Sequence, residues 1–388
     1  MKPEVHLVAG TRPEAVKLAP VALAMLRKGR MRPVIVASGQ HPELVRQALS
    51  AFDLKPDEEL DCPRATGGQA ELYGNLLPEL DRLWSFRPPT AVVVQGDTAT
   101  ALGATLVAFW GRIPIAHLEA GLRSADVRSP FPEEANRRLI SLLANLHLAP
   151  TERAARALVT ECVEPDKVLV IGNTVVDAQL AVARANRPFL EERLSAVEAR
   201  TKSGARRLIL FTMHRRESWG EPMAAVLRAV RTLLRRYSDV EVVLPAHPNP
   251  RVRSVVETAF EDEPRVLVTG PLDYSDLIRL LRVCALVLSD SGGIQEEAPT
   301  FGVPVVVLRE VTERAEGIES GCAVLAGTDE DQVLRLAGEI LDGSVPTAAA
   351  NPYGDGHAAG RAEQALAWMM GLSLDQSHRF VACHAVVR

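Results

Sequence analysis

Short apolar runs alternate with segments of helical periodicity along the chain, and this alternation constrains the fold more than any other feature. The runs predict buried strands at residues 5–9, 33–37, 91–95, 113–118, 146–149 and 168–171. After a charged helical stretch at 177–202, further strands are predicted at 208–211, 240–245, 266–269, 286–289 and 303–308. Continuous apolar strands separated by helices indicate parallel sheets covered on both faces. The chain is therefore predicted to form two α/β halves, with a boundary near residues 172–177.

Length, charge and cysteine content agree with this organisation. The 388 residues suffice for two domains, each with its own core. The 44 Lys+Arg and 49 Asp+Glu residues give a net charge of −5, which argues against a nucleic-acid-binding protein. No apolar run reaches the roughly 20 residues of a membrane span, and we expect no signal peptide. The cysteines form no CxxC pair and predict reduced thiols in a cytoplasmic protein. They are Cys62, Cys162, Cys284, Cys322 and Cys383.

Ligands of open α/β sheets bind outside the carboxyl ends of the strands, so the residues that follow each strand are the candidates for chemistry. With two such halves, the cleft between them is the expected place for a substrate. No Walker A loop and no GxGxxG follows any strand, so the two commonest nucleotide-binding fingerprints are absent from the sequence.

The turn after the first strand reads GTRPE, residues 10–14. Thr11 and Glu14 have the spacing of a capping box, and Pro13 suits the first helical turn. Arg12 and Lys17 would then lie near a helix N-terminus, where backbone N–H groups favour an anion. An ordinary capped helix with two solvated cations is the alternative to a phosphate site.

A second candidate phosphate site follows the strand at 286–289, where the chain reads DSGGIQEE. Ser291, Gly292 and Gly293 can form a backbone nest at the start of a helix. Glu296 and Glu297 are expected in its first turn, where a carboxylate can also bind ribose hydroxyls. A glycine turn followed by an acidic helix start explains the same residues equally well.

Acidic residues follow two further strands and begin one helix. Asp97 follows residues 91–95 after Gly96, and Glu119 comes directly after 113–118. His117 and Glu119 are expected to share a face because strand side chains alternate. Glu133, with Glu134, begins the helix after a proline-rich turn. Carboxylates gathered at one sheet edge could divide acid and base roles. An N-cap role for Asp97 and a helix-start charge for Glu133 are the alternatives.

Histidines end two strands of the second half. His214 is followed by Arg215 and Arg216, and a histidine with arginines suits a diphosphate leaving group. His247 lies in a proline-rich turn, where a structural role is more usual. The sequence has no HExxH and no Cys/His cluster, so it offers no metal-ligand spacing.

Nine motifs in this order resemble those of the non-hydrolysing UDP-N-acetylglucosamine 2-epimerases, over about residues 5–370. They are GTRPEA (10–15), QGDT (95–98), HLEAGLR (117–123), PEEANR (132–137), GNTVVD (172–177), HRRES (214–218), DSGGIQEEA (290–298), TER (312–314) and NPYGDG (351–356).

The resemblance implies two Rossmann-like, doubly wound domains that face across a cleft, a glycosyltransferase-B-type fold. The first would span 1–172 plus 357–372, because the last helix crosses back to it. The second, UDP-binding domain would span 173–356, leaving a tail at 373–388. The implied reaction interconverts UDP-N-acetylglucosamine and UDP-N-acetylmannosamine by loss and re-addition of UDP through 2-acetamidoglucal. It needs no metal and no nicotinamide, and the resemblance suggests a homodimer. The net charge and the apolar runs predict no nucleic-acid partner and no membrane partner.

The residues singled out above fit this scheme, and the resemblance adds Glu297 as the ribose-binding carboxylate and Arg314 as a substrate-contacting arginine. Asp97, Glu119, Glu133 and His214 would be catalytic. Arg12, Lys17, Ser291, Gly292, Gly293, Glu297 and Arg314 would bind substrate and UDP. Gln40, Arg215 and His247 match parts of a site at which a second UDP-N-acetylglucosamine activates many members.

Two positions depart from the family pattern. Leu277 replaces an aromatic residue that often borders the uracil, and Glu43 replaces the Gln of some regulated members. Three alternatives stay open: a hydrolysing epimerase that releases N-acetylmannosamine and UDP, a UDP-sugar glycosyltransferase of the same fold, and a catalytically silent nucleotide-sugar sensor. A simple transferase does not require as many acidic groups as this sequence offers in Asp97, Glu119 and Glu133.

Overall fold

The computed structural model describes residues 2–124, 126–215, 218–344, 351–376 and 379–381. Within them the chain forms two compact units. The first contains residues 2–181 and 353–381, and the second contains residues 182–352. The domain boundaries expected at 172/173 and 356/357, and the cleft between domains, stay predictions. None of the described helices is both long enough and apolar enough to cross a membrane.

The first unit is built on a seven-stranded parallel sheet with the order β3-β2-β1-β4-β5-β6-β7. Its strands are β1 (Glu4–Ala9), β2 (Arg32–Ala37), β3 (Glu58–Glu59), β4 (Ala91–Gln95), β5 (Ile115–Leu118), β6 (Leu146–Ala149) and β7 (Val168–Val170). Its helices are α1 (Arg12–Lys28), α2 (Pro42–Ser50), α3 (Gln69–Phe86), α4 (Ala99–Trp110), α5 (Glu133–Leu143), α6 (Glu152–Thr160), the start of α7 (Thr174–Ala185) and the last helix, α15 (Ala358–Met369).

Strand order reverses at β1, which pairs with β2 on one side and β4 on the other. Such a switch point is where open α/β sheets bind ligands. The loops after β1 and β4 therefore open at the predicted site. Gln95 pairs with Leu118, so the carboxyl ends of β4 and β5 lie side by side.

Helices bury one face each on this sheet. In α3 the residues Leu72, Leu76, Leu80 and Trp84 recur every fourth position and are all buried. Each such side chain contributes roughly 1.5–3 kcal/mol by leaving water. The last helix, α15, packs on α1, and the guanidinium of Arg30, two residues after the end of α1, pairs with the buried carboxylate of Glu363.

The second unit has a six-stranded parallel sheet with the order β10-β9-β8-β11-β12-β13. Its strands are β8 (Arg207–Thr212), β9 (Val240–Pro245), β10 (Val266–Thr269), β11 (Cys284–Ser289), β12 (Val305–Val307) and β13 (Ala323–Leu325). Its helices are α8 (Arg193–Lys202), α9 (Glu221–Arg236), α10 (Pro250–Ala259), α11 (Tyr274–Leu281), α12 (Gly292–Glu297), α13 (Ala315–Glu319) and α14 (Glu330–Leu341). The order reverses at β8, so the loops after β8 and β11 form its switch point.

Every predicted strand forms, with its ends within two residues of the prediction. The prediction of one helical stretch at 177–202 is wrong. This stretch forms α7 and α8, separated by a turn in which Asn186 has a positive φ of 44° and Pro188 interrupts the helix.

The segment after α15 includes the tail predicted at 373–388. In its described part it packs on the first unit: Phe380 is buried against Val170 and donates its N–H to the Val170 carbonyl at 2.8 Å. Residues 377–378 and 382–388, including Cys383, lie outside the described residues. The described cysteines, Cys62, Cys162, Cys284 and Cys322, are free thiols.

Candidate active site

Each residue of the QGDT motif, residues 95–98 at the end of β4, makes a hydrogen bond with another part of the first unit. Gly96 has a φ of 67°, a left-handed conformation that glycine adopts without strain. The hydrogen bonds run from Gln95 Nε2 to Glu119, from His117 Nε2 to Gly96 O at 2.8 Å, from Asn136 Nδ2 to Asp97 O at 2.8 Å, and from Thr98 Oγ1 to Glu14 at 2.6 Å. Thr98, not Asp97, is the N-cap of α4, so the N-cap alternative for Asp97 is wrong.

Asp97 is held by a buried arginine. The Nε atom of Arg137 lies 3.0 Å from Asp97 Oδ2, a second guanidinium nitrogen reaches the same oxygen, and the third donates to Glu134 at 3.1 Å. Arg137 is 4% exposed. Within the described part of the chain, Asp97 Oδ1 accepts no hydrogen bond and is the oxygen open to a ligand.

Glu119 stands at the end of β5 with a φ of 61°. It lies beyond the strand, so the alternation that predicted a common face with His117 does not extend to it. Both of its carboxylate oxygens lie 2.7 Å from Lys17 Nζ, and each of these side chains is only 10% exposed. The alternative of two solvated cations on α1 is therefore wrong for Lys17.

Asp97 and Glu119 thus lie at one edge of the sheet, as predicted, and Gln95 links their two turns. Burial lowers the pKa of His117 to about 3, so its ring is neutral and donates Nε2–H to the Gly96 carbonyl. Burial raises the pKa of Glu14 to about 7, although hydrogen bonds from Thr98, Thr11 and Gly10 act in the opposite direction.

Glu14 also forms the carboxylate half of the predicted capping box, accepting the Thr11 N–H at 2.8 Å.

Glu133 is half-buried at the first position of α5, as predicted, and makes no hydrogen bond or ion pair within the described residues. Arg12 is half-buried at the first position of α1. Gln40 accepts a hydrogen bond from Thr100 Oγ1 at 2.8 Å.

In the second unit, His214 and the first residue after β11, Asp290, meet at the switch point. The imidazole Nδ1 lies 3.1 Å from Asp290 Oδ1, and the carboxylate is completely buried. The imidazole is about half exposed. Arg215 donates its backbone N–H to Asp290 at 2.9 Å and its Nε to the Asp290 carbonyl at 3.1 Å.

Helix α12 begins at Gly292, with Ser291 as its N-cap. Glu296 and Glu297 are therefore its fifth and sixth residues, and the expectation that they lie in the first turn is wrong. The Arg314 guanidinium donates to Glu296 at 3.0 Å and to Glu313 at 2.8 Å.

Arg314 lies over the backbone of Gly292: a Cβ at that glycine would be 3.1 Å from the guanidinium carbon. Glu297 is half-buried on the same helix.

His247 follows β9, where its Nδ1 accepts the Asn249 N–H at 3.0 Å and its ring stacks edge-on against Trp219 at 5.5 Å. Leu277, which replaces the aromatic residue of the family pattern, is half-buried on α11.

Sequence reasoning missed the residues that hold the catalytic candidates, above all Arg137 and Asp290. Both lie inside motifs that the sequence displays. An arginine three residues after Glu134, on the same face of a predicted helix, was an available signal for the first. No spacing pointed to the second, because its partner His214 is 76 residues away.

Two Rossmann-like units of parallel sheet, each with charged groups at its switch point, define an α/β protein of the glycosyltransferase-B type. A sequence model of the family described as UDP-N-acetylglucosamine 2-epimerase matches residues 24–367. The chain belongs to this family.

The chain is 39% identical over 385 residues to the UDP-N-acetylglucosamine 2-epimerase of Bacillus subtilis, covering 98% of this chain and 99% of that one. Among solved structures, it is similar to the S. aureus MnaA–UDP co-structure, with a TM-score of 0.87 and 37% identity over 98% of this chain and 100% of that one. It is also similar to the UDP-GlcNAc 2-epimerase from Neisseria meningitidis bound to UDP-GlcNAc, with a TM-score of 0.84 and 34% identity over 94% and 99% of the two chains.

Proposed function

We propose that this protein interconverts UDP-N-acetylglucosamine and UDP-N-acetylmannosamine without hydrolysing them. The observation that carries the proposal is the pair of carboxylates at one edge of the first sheet, Asp97 and Glu119, each held by a buried cation. The relative from Neisseria meningitidis, bound to UDP-GlcNAc, supports the choice of substrate.

In this scheme a carboxylate takes the proton from C2 of the sugar, the C1–O bond to UDP breaks, and the electron pair forms a C1=C2 double bond. UDP then adds back to C1 while C2 receives a proton on the opposite face. Inversion requires acid and base groups on both faces of the ring, and we assign them to Asp97, Glu119 and Glu133.

The environments of these carboxylates support different roles. Asp97 keeps one oxygen open while Arg137 binds the other. Glu119 is bound by Lys17 through both oxygens, which favours its ionised form. Glu133 has no partner within the described residues and can adjust its position.

Departure of UDP needs stabilisation of the diphosphate charge. We assign this to His214, to the backbone of Ser291, Gly292 and Gly293, and to Arg314. We also assign to this charge Arg12, the first residue of α1, and Lys17, which lies five residues further on and is paired with Glu119. Glu297 is assigned to the ribose hydroxyls.

The product distinguishes this proposal from its alternatives. Incubation with UDP-N-acetylglucosamine alone, followed by proton NMR, is expected to give UDP-N-acetylmannosamine with traces of UDP and 2-acetamidoglucal. Free N-acetylmannosamine as the main product would mean hydrolysis, and an unchanged substrate would favour a sensor or a transferase that lacks its acceptor.

Regulation and assembly are separate proposals. We assign Gln40, Arg215 and His247 to a second UDP-N-acetylglucosamine site. A plot of initial rate against substrate concentration should then be sigmoidal, and His247→Ala should make it hyperbolic.

A homodimer is proposed as well, and light scattering would give twice the 42.1 kDa chain mass. Apolar side chains that α4 and α5 leave exposed, Phe109, Trp110, Leu139 and Leu142, are compatible with such an assembly.

A further inference from the structure

Asp290 lies where β8 and β11 end side by side. Ser289, the last residue of β11, pairs with Thr212, the last residue of β8. The residues that follow the two strands therefore lie close together, and the Asp290 carboxylate contacts the loop that carries His214. This carboxylate has no exposed surface.

Donors surround the buried carboxylate. His214 N and Arg215 N lie 3.0 and 2.9 Å from Oδ2, Ser218 Oγ lies 3.3 Å from Oδ2, and His214 Nδ1 lies 3.1 Å from Oδ1. Burial alone would raise the pKa of Asp290, but the hydrogen bonds from His214 and Arg215 outweigh it and lower that pKa. Asp290 is therefore ionised at neutral pH.

An ionised carboxylate offers only acceptors, so the imidazole nitrogen that faces it must carry a proton. That nitrogen is Nδ1. The other nitrogen, Nε2, makes no hydrogen bond within the described residues. The hydrogen bond thus selects one of the two neutral tautomers and also sets the direction of the ring.

We propose that Asp290 is a positioning residue for His214: it holds the imidazole with its proton on Nδ1, so that Nε2 is the nitrogen presented to the diphosphate of UDP. The identity of that ligand rests on the proposed function, whereas the tautomer does not.

An asparagine at this position separates the positioning role from simple packing. Asp290→Asn keeps the size and one acceptor oxygen for the backbone N–H groups, but its amide N–H₂ would face Nδ1 as a donor. The imidazole then has to accept at Nδ1 and move its proton to Nε2. In serine proteases, replacing the aspartate that binds the catalytic histidine by asparagine gives the histidine the wrong tautomer and strongly lowers kcat.

The first test is long-range proton–nitrogen NMR on the full-length protein labelled with ¹⁵N-histidine, with His214 assigned by comparison with His214→Ala. At a pH where His214 is neutral, the wild type should show Nδ1 protonated and Asp290→Asn should show Nε2 protonated. The matched control is Asp276→Asn, because Asp276 is another buried aspartate of this unit and accepts the N–H groups of Leu190 and Glu191. This variant should leave the His214 tautomer unchanged. An identical His214 tautomer in the wild type and in Asp290→Asn would overturn the proposal.

The second test is a double-mutant cycle on turnover. Asp290→Asn should lower kcat about a hundredfold when His214 is present and less than about threefold in the His214→Ala background, because a positioning residue acts only through its partner. Equal losses in both backgrounds would contradict the positioning role. An inactive wild type would refute the proposed function, and the NMR result would still decide the tautomer.

Discussion

Arg137 and Asp97 form a buried ion pair in which two guanidinium nitrogens bind the same carboxylate oxygen, Oδ2. The remaining guanidinium nitrogen binds Glu134, which is also buried. The arginine therefore fixes the orientation of Asp97, and Oδ1, which accepts no hydrogen bond from the described residues, is the oxygen that we propose for the substrate. The position of Asp97 after a predicted strand was visible in the sequence, but its contact with Arg137 on α5 was not.

The first prediction follows from that geometry. Arg137→Lys keeps the charge but cannot bind Asp97 through two nitrogens and Glu134 through a third. We expect kcat to fall roughly ten- to a hundredfold with a smaller change in KM. Steady-state kinetics on UDP-N-acetylglucosamine would measure it.

Arg138→Lys is the matched control, because Arg138 binds the other oxygen of Glu134 from an exposed position on the same helix. Its kinetics should stay close to those of the wild type. If both variants lost activity equally, the special role of Arg137 would be disproved.

The strands were predictable because a parallel sheet buries both of its faces, which requires continuous apolar runs such as residues 91–95. The short edge strand β3 was not, since its two glutamates carry no apolar signal and pair with β2 through backbone groups alone. Strand β13 was not predicted either, although its three residues are all apolar, because so short a run is a weak signal.

The site was predictable only in part, for a different physical reason. Residues such as Asp97, Glu119 and His214 follow strands, and parallel strands bring their carboxyl ends to one edge. Which cation binds which carboxylate depends on the distances between loops. Lys17 and Glu119 are 102 positions apart, and no local pattern encodes their contact.

The second prediction concerns the approach of Arg314 to Gly292. In Gly292→Ala the new methyl group would lie 3.1 Å from a guanidinium that Glu296 and Glu313 hold in place. Arg314 has to move, and we expect the Kd for UDP to rise about tenfold, measured by calorimetry. Gly270→Ala serves as the control, because its Cβ would meet no atom within 4 Å. Unchanged UDP affinity in Gly292→Ala would show that Arg314 does not contribute to binding.

The third prediction is a pH dependence of stability. Burial, with smaller contributions from Arg123 and Lys167, lowers the pKa of His147 to about 4 from an ordinary 6.5. The unfolded chain therefore binds a proton as the pH falls below 6.5 and the folded chain does not, so this histidine destabilises the fold progressively down to about pH 4. At pH 5 this lowers the free energy of unfolding by about 2 kcal/mol.

His147→Leu removes this contribution alone, whereas the opposite effects of Glu14 and Asp177, whose pKa values burial raises, remain in both proteins. We expect urea unfolding to show that, between pH 7 and pH 5, the free energy of unfolding of the variant rises by about 2 kcal/mol relative to that of the wild type. A difference that does not change with pH would mean that His147 is protonated in the folded protein.

The central claim is that Asp97 and Glu119 move the C2 proton of the sugar. The most direct test is incubation with UDP-N-acetylglucosamine in D₂O, with proton NMR following deuterium at C2. We predict deuterium at C2 of both epimers in the wild type, and rates about a hundredfold or more lower in Asp97→Asn and in Glu119→Gln. Epimers formed without deuterium, or exchange at the wild-type rate in both variants, would contradict the account.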